Sequence, residues 1–290
     1  MGFGCSNRQD ESLGLYPLKG PVSEKGYQVI LATTDLGKGS NRFAFVLISS
    51  QGFIRAMPMD VSIFELDAPL EIETYQAYPV EWGVQNRIMY VTNVDFTSKG
   101  KWNATIDFEH NQSNHRAEVS FEVQEKPRSP MVGEVAPVVN SKTLDDVDDM
   151  SELSTGTISQ PELYRHSIAK VLKSDRPSVI TFSSPAFCRN EVCGPQVEVI
   201  AELYDDKKEE AFFIHSEIYD NPEEIQGNLE VARFSEALFE WGLSSLQWTF
   251  IVGCDGHVFN RFQGFVALGE LTEALNDLIG KYESGTLCIS

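Results

Sequence analysis

From residue 27 to residue 123, apolar side chains recur at every second position in short runs. Lys101-Trp102-Asn103-Ala104-Thr105-Ile106-Asp107-Phe108 and Ala117-Glu118-Val119-Ser120-Phe121-Glu122-Val123 alternate throughout. That period places one set of side chains on a buried face and the other in water, the signature of half-buried strands. Comparable runs cover residues 27–31, 42–48, 61–66 and 89–96. Turn formers at Gly37-Lys38-Gly39-Ser40-Asn41 and at Asn111 to Asn114 separate them.

The pattern changes after residue 125. Prolines 127, 130, 137 and 161 and the acidic run Leu144-Asp145-Asp146-Val147-Asp148-Asp149 mark an extended connection, partly packed on the second domain. From Pro161 the spacing becomes mixed. Residues 162–174 place Leu163, Ile168, Val171 and Leu172 on one helical side, and the β-branched run 178–182 predicts a buried strand. A helix continues from Pro195 through Leu203, and residues 211–215 predict a second buried strand. Residues 232–241 predict another helix. Residues 248–252 and 257–262 predict a hairpin across Cys254-Asp255-Gly256, and residues 268–282 predict a closing amphipathic helix. The order is αβαβαββα. Its first two strands are expected to be parallel and its hairpin antiparallel.

These patterns predict two domains, an all-β immunoglobulin-like sandwich followed by an α/β thioredoxin-like fold. The expected division is a flexible N-terminal tether over 1–26, a β-sandwich domain over 27–125, a linker over 126–160 and a thioredoxin-like domain over 161–290. The sandwich contains no cysteine, so no disulfide joins its sheets.

Composition narrows the function classes. The 290 residues carry 43 acidic and 23 basic side chains, a formal charge of −20, and no Lys/Arg-rich run. A basic face for nucleic acid or anionic lipid is therefore not expected, and solubility accounts for the acidity. No stretch has the length and apolarity of a membrane span. Membrane association is expected only through a lipid anchor. Cys5, in Met1-Gly2-Phe3-Gly4-Cys5-Ser6-Asn7, stands where a bacterial lipoprotein carries its lipidated cysteine, without the upstream apolar region. A start codon placed late in a signal peptide would explain that. Gly2 and Ser6 also satisfy a myristoylation pattern, and an incidental cysteine in an unstructured terminus is the third reading.

The candidate chemistry lies at the end of the first α/β strand. Cys188 and Cys193 follow that strand, and Gly194-Pro195 opens the next helix. A thiolate is the nucleophile of disulfide exchange, and unpaired N–H groups at a helix start favour it. Pro195 fits the first turn, where its missing N–H costs nothing. A second cysteine can resolve a mixed disulfide. Cys-x4-Cys spacing also suits a small structural disulfide or two inert thiols.

The chain resembles a group of bacterial, exported, membrane-tethered proteins of the thioredoxin-like superfamily that carry a small β-sandwich in front. The matching strings are Asn41-Arg42-Phe43, Tyr90-Val91-Thr92, Gly133 to Pro137, Pro161 to Tyr164, Pro185-Ala186-Phe187-Cys188, Cys193-Gly194-Pro195, Trp248-Thr249-Phe250-Ile251-Val252, Asp255-Gly256 and Arg261-Phe262-Gln263-Gly264. They span nearly the whole chain after the tether. The resemblance implies thiol–disulfide exchange outside the cytoplasm, with protein thiols and disulfides as partners, an unassigned redox partner and no cofactor. Three departures stand out. Gln196 follows Cys193-Gly194-Pro195 where thioredoxins have a second cysteine, so Cys188 must serve as partner. Thr181 stands where thioredoxins carry a buried acid. Gln247, before Trp248, replaces the proline that faces the cysteine pair, and a trans peptide is expected there.

In this reading Cys188 is the nucleophile and Cys193 the resolving thiol, with the reverse assignment open. Phe187, Gly194, Pro195, Gln247 and Trp248 surround the pair. Cys254, in the hairpin turn, and Cys288, past the last helix, are expected to form a structural disulfide at the far end of the sheet. No metal site is expected. A copper-delivery arrangement of Cys188, Cys193 and His215 is the least favoured alternative. His110 and His115 flank a solvated turn, and Met57 and Met59 pack in a loop. The rival from another class is a surface binding module, in which the cysteine pair is a permanent clip on a catalytically silent fold.

Overall fold

The computed structural model describes residues 18–69, 71–83, 87–188 and 192–284. The chain divides into two compact units between Pro127 and Arg128.

The first unit is a sandwich of two antiparallel sheets. One contains β1 (Leu18–Lys19), β2 (Gln28–Leu31), β3 (Gly39–Ser49), β4 (Gly52–Phe53), β7 (Tyr78–Glu81) and β8 (Ile88–Phe96). The other is ordered β10 (Ser113–Val123), β9 (Gly100–His110), β5 (Met59–Glu65) and β6 (Glu73–Gln76). The inward residues of both sheets form one core. Val29, Phe43, Phe45, Leu47, Met59, Val61, Ala104, Ile106 and Val119 lose all or nearly all contact with solvent. Tyr90 brings a polar group into this core and satisfies it: its hydroxyl donates to the Ile54 carbonyl at 2.9 Å and accepts from the Ala56 N–H at 2.7 Å. Strands β6 and β7 lie in a segment without apolar alternation. Their side chains are mostly exposed, and Pro79 sits on an edge strand, where a missing N–H is tolerated. Ladder hydrogen bonds hold them, so burial left no pattern to read.

The second unit centres on a four-stranded sheet ordered β12 (Phe212–Glu217), β11 (Ser178–Ser183), β13 (Gln247–Val252) and β14 (Val258–Gln263). β11 runs parallel to β12 and antiparallel to β13, and β14 is antiparallel to β13. This is a thioredoxin-like topology. Alternation along the strands divides the apolar residues between two faces. Val179, Phe213 and Ile251 pack against Ile200, Leu203, Leu271, Leu275 and Leu278 of the two long helices, α2 (Cys193–Lys207) and α5 (Leu268–Glu283). On the opposite face Ile180, Phe182, Ile214 and Phe250 meet two short helices, α1 (Ile168–Val171) and α4 (Glu236–Glu240), and the segment after them. A further short helix, α3 (Pro222–Ile225), follows β12.

Two expected helices are shorter than their spacing suggests. Residues 162–174 form a 3-10 turn at Pro161–Tyr164 and then α1, because the Ser167 hydroxyl accepts from the Lys170 N–H and starts a new helix. Within 232–241 only α4 is regular helix. Residues 128–160 contain one 3-10 turn, Met150–Glu152, and are held by specific bonds. Gly133 N–H donates to Val258 O, Ala136 N–H donates to Gly256 O, and Leu153 is buried in the core beside α2 and α5.

Trp241 is fully buried, with ring centroids 5.0 Å from Phe182 and 4.8 Å from Phe250. Trp241→Ala is expected to destabilise the second unit by about 3–5 kcal/mol in urea unfolding. Phe239→Ala, on the exposed side of the same turn, is expected to stay within about 0.5 kcal/mol of the parent.

Candidate functional site

The carboxyl end of β11 sets the position of the site. β11 ends at Ser183, which pairs with Glu217 of β12 on one side and with Gln247 of β13 on the other. The loop Pro185–Cys188 leaves from there, and α2 begins at Cys193. Cys188 and Cys193 are joined in a disulfide, with Cα atoms 5.8 Å apart, inside the usual bridging range. The two sulfurs are not equivalent. Cys188 is partly exposed, whereas Cys193 is fully buried. Of the two sulfurs, Cys188 is therefore the one a thiolate from solvent would reach. Cys193 Sγ lies 3.3 Å from the Leu246 carbonyl oxygen, on the segment entering β13. Once reduced, a thiol there has an acceptor for its proton, and burial reinforces the neutral form. The unpaired amides of the first turn of α2 act in the opposite sense.

The positions where the chain departs from thioredoxins are all inside. Thr181 is fully buried and shares a 3.1 Å hydroxyl–hydroxyl hydrogen bond with Thr249 across the β11–β13 pair. Gln247 is buried and enters β13 through a trans peptide; the one cis bond among the described residues is Met57–Pro58. Gln196 is buried too. Its Oε1 accepts from the Val266 N–H at 2.8 Å, while its Nε2 and the Gln247 Oε1 find no partner among the described residues. Trp248 is fully buried beneath the Arg261 guanidinium, which lies 5.2 Å from its ring centroid. Phe187 packs edge-on to Tyr219 at 6.4 Å. Gly194 and Pro195 occupy the first turn of α2.

His215 makes its side-chain hydrogen bonds to residues other than the cysteines. It is buried in β12, with Nδ1 2.5 Å from the Tyr164 hydroxyl and Nε2 2.8 Å from the Ser183 hydroxyl. Both ring nitrogens are thus engaged, and burial pushes its pKa down to about 4. Among the described residues no cluster of three or more His, Cys, Asp or Glu side chains could hold a metal ion. His110 lies 3.0 Å from the Tyr27 hydroxyl, and His115 Nε2 lies 3.1 Å from the His110 carbonyl oxygen. Cys254, in the β13–β14 turn, is disulfide-bonded, and its N–H donates to the Tyr282 hydroxyl of α5 at 2.7 Å. Cys5 and Cys288 lie outside the described residues.

One buried acid escaped the sequence reading. Glu217, at the carboxyl end of β12, is 7% exposed. Its Oε2 accepts from both the N–H and the hydroxyl of Thr155, each at 2.8 Å. Its Oε1 accepts from the N–H groups of Ile218 and Tyr219 at 3.0 and 3.4 Å. Burial raises the Glu217 pKa to about 7 against these hydrogen bonds, which pull it down. The signal was an acid closing the apolar run from Ala211 to Ile214, but the expected place for an acid was β11.

No protein-family model matches the chain, and no curated protein matches it by sequence. Among solved structures, FetP of uropathogenic Escherichia coli is 13% identical, over 37% of this chain and 94% of that chain, with a TM-score of 0.28. A copper-bound variant of FetP matches at 13% identity over 37% of this chain and 95% of that chain, also with a TM-score of 0.28. A DUF4785 family protein from Legionella pneumophila is 11% identical, over 34% of this chain and 28% of that chain, with a TM-score of 0.24. Likenesses this distant carry no argument about fold or function.

The two buried groups of β12 bias stability in opposite directions. His215, lowered from 6.5 to about 4, removes stability as pH falls through that window, because only the unfolded chain takes up the proton. Glu217, raised from 4.5 to about 7, adds stability as pH falls from about 7 to 4.5, because the folded chain binds its proton first. Each is worth about 3 kcal/mol, and they offset over the shared range. Glu217→Gln is expected to unmask His215. Urea unfolding of that variant should show a loss of about 3 kcal/mol between about pH 6.5 and 4 beyond the change in the parent.

Proposed function

We propose that the protein is an extracytoplasmic thiol–disulfide oxidoreductase working through Cys188 and Cys193. The observation that carries this is the asymmetric disulfide at the carboxyl end of β11, with one accessible sulfur and one buried sulfur at the start of α2. A client thiolate attacks Cys188 Sγ, the Cys188–Cys193 bond breaks, and Cys193 leaves as a thiolate that takes up a proton. A second client thiolate then attacks the client sulfur of the mixed disulfide. The client disulfide forms, Cys188 is released as a thiolate that also takes up a proton, and the protein has gained two electrons. In reverse, reduced Cys188 attacks a client disulfide and Cys193 resolves the mixed bond. Leu246 O and burial favour the neutral Cys193 thiol that waits for this step. Phe187, Gly194, Pro195, Gln247 and Trp248 form the immediate surroundings.

The disulfides at Cys188–Cys193 and at Cys254 support an oxidising compartment. No helix among the described residues is long and apolar enough to cross a membrane. In this reading attachment is through a lipid on Cys5, ahead of the 27–125 sandwich, the 126–160 connection and the 161–290 redox domain; of the 1–26 tether, residues 18–26 instead join the sandwich, where β1 pairs with β2. Cys254 is assigned to a bridge with Cys288. The contact of Tyr282 with the Cys254 N–H brings the end of α5 to that turn and supports the pairing.

A second reading has its own support. Thr181 and Gln247 replace the acid and the proline of a fast exchange site, and both are buried in ordinary strand geometry. A binding module with a permanent clip would look the same there. The reduction potential separates the two. Between about −120 and −270 mV the pair belongs with exchange enzymes; below about −300 mV it is a clip. Cys193→Ser is expected to accumulate mixed disulfides through Cys188 on non-reducing gels, and Cys188→Ser is not. Non-reducing peptide mapping is expected to recover Cys254 linked to Cys288.

A further inference from the structure

Residues 153–156 run beside the exchange loop and are tied to it at three points. Leu153 anchors the segment in the core. Thr155 Oγ1 accepts from the Ala186 N–H at 3.2 Å and lies 3.0 Å from the Ser184 hydroxyl. Gly156 presses on Pro185 so closely that a Cβ there would lie 2.6 Å from Pro185 Cβ. The other end of the tie is Glu217. A hydroxyl has one proton, and Thr155 gives its own to Glu217 Oε2, so its lone pairs are left to receive Ala186. Ala186 is two residues before Cys188.

We propose that Glu217 is a positioning residue for the exchange pair: through Thr155 it holds the Pro185–Cys188 loop that carries the accessible sulfur. The proposal rests on Cys188–Cys193 being the exchange pair.

The carboxylate form is the one that fits. Four donors converge on its two oxygens, which is the capacity of an ionised group. A proton on either oxygen makes it a donor and displaces one of them. If Thr155 is displaced, its hydroxyl turns and the hold on Ala186 goes with it. The raised pKa places this change near neutral pH. A cavity of about 120 Å³ beside Glu217 is roomy and polar enough for water to deliver the proton.

The charged and titratable groups facing this cavity come from every surrounding element. His215, on the same strand, is neutral at such pH, and the Tyr164 hydroxyl, raised by burial, stays protonated. Lys142 pairs with Asp220 at 3.9 Å and donates to its carbonyl oxygen. Glu152 accepts from the N–H groups of Asp148 and Asp149. Tyr219 and Glu236 are the remaining charged or titratable members of the lining.

The test is the rate at which dithiothreitol reduces the Cys188–Cys193 bond in the full chain, corrected for the reagent's thiolate fraction, between about pH 5.5 and 8.5. Hydrogen-exchange protection of the Ala186 amide is read in parallel, which reports the hold whether or not the pair serves a client. Glu217→Gln keeps the two acceptor sites of its amide oxygen and places an NH2 donor where the other oxygen stood, so like the protonated acid it cannot receive all four donors. It is expected to be reduced about tenfold faster than the parent at the alkaline end and to lose Ala186 protection there. Parent and variant are expected to converge at the acid end, with the parent changing near pH 7. Thr155→Val should behave like Glu217→Gln, and Thr155→Ser like the parent. Rates and protection in Glu217→Gln that track the parent at every pH would overturn the proposal. So would a Thr155→Val variant that keeps parental Ala186 protection, a result that stands even if Glu217→Gln folds poorly.

Discussion

The pairing of β11 with β12 on one side and β13 on the other is the constraint on which the cysteine site and its proposed chemistry depend. β11 is buried along its whole length, so its backbone groups must be spent on neighbouring strands and its side chains on two apolar layers. Nothing in that environment tolerates a slip in register. Such a slip would turn Ile180 and Phe182 to the α2–α5 side and Val179 to the other. With the register set, Ser183, Glu217 and Gln247 arrive together at one end of the sheet, and the chain has to leave β11 there. The loop to α2 is short, and the two cysteines close it.

Asymmetry between the two sulfurs comes from the same geometry. Cys193 begins a helix whose inner side packs under the sheet, so its sulfur is pulled into the interior beside the Leu246 carbonyl. Cys188 sits on the outgoing loop and keeps contact with solvent. One sulfur for collision and one for resolution is what exchange chemistry requires. The site lacks the acid and the proline found in thioredoxins, and it has a buried carboxylate elsewhere. Glu217 enters from β12 and is held by backbone and hydroxyl donors, with no cation partner among its hydrogen bonds. A buried carboxylate costs several kcal/mol in lost hydration, and charge-assisted hydrogen bonds of about 1.5–3 kcal/mol each are the scale on which that cost can be offset. The balance is close enough that its protonation lies near neutrality.

Much of the architecture could be read from spacing. Period-2 alternation at 101–108 and 117–123, and the largely apolar runs at 178–182 and 211–215, reported burial directly. Burial is what both patterns encode, on one face or on two. The edge strands at 73–81 were illegible because their stability comes from main-chain hydrogen bonds, which leave no mark on side-chain polarity. The short helices were overestimated for a related reason. Apolar spacing says which side is buried, but Ser167 capping decides where a turn restarts.

The cysteine pair was also legible, because a strand, two thiols and a helix start are all local along the chain. Glu217 was not. Thr155 and Glu217 are 62 residues apart, and only packing brings the 153–156 segment between the acid and the Pro185–Cys188 loop. The same holds for His215, whose nitrogens are claimed by Tyr164 and Ser183. Local order fixes which residues can share a strand or a turn. Which polar groups become buried, and which partners then satisfy them, depends on contacts between distant segments that no local pattern records.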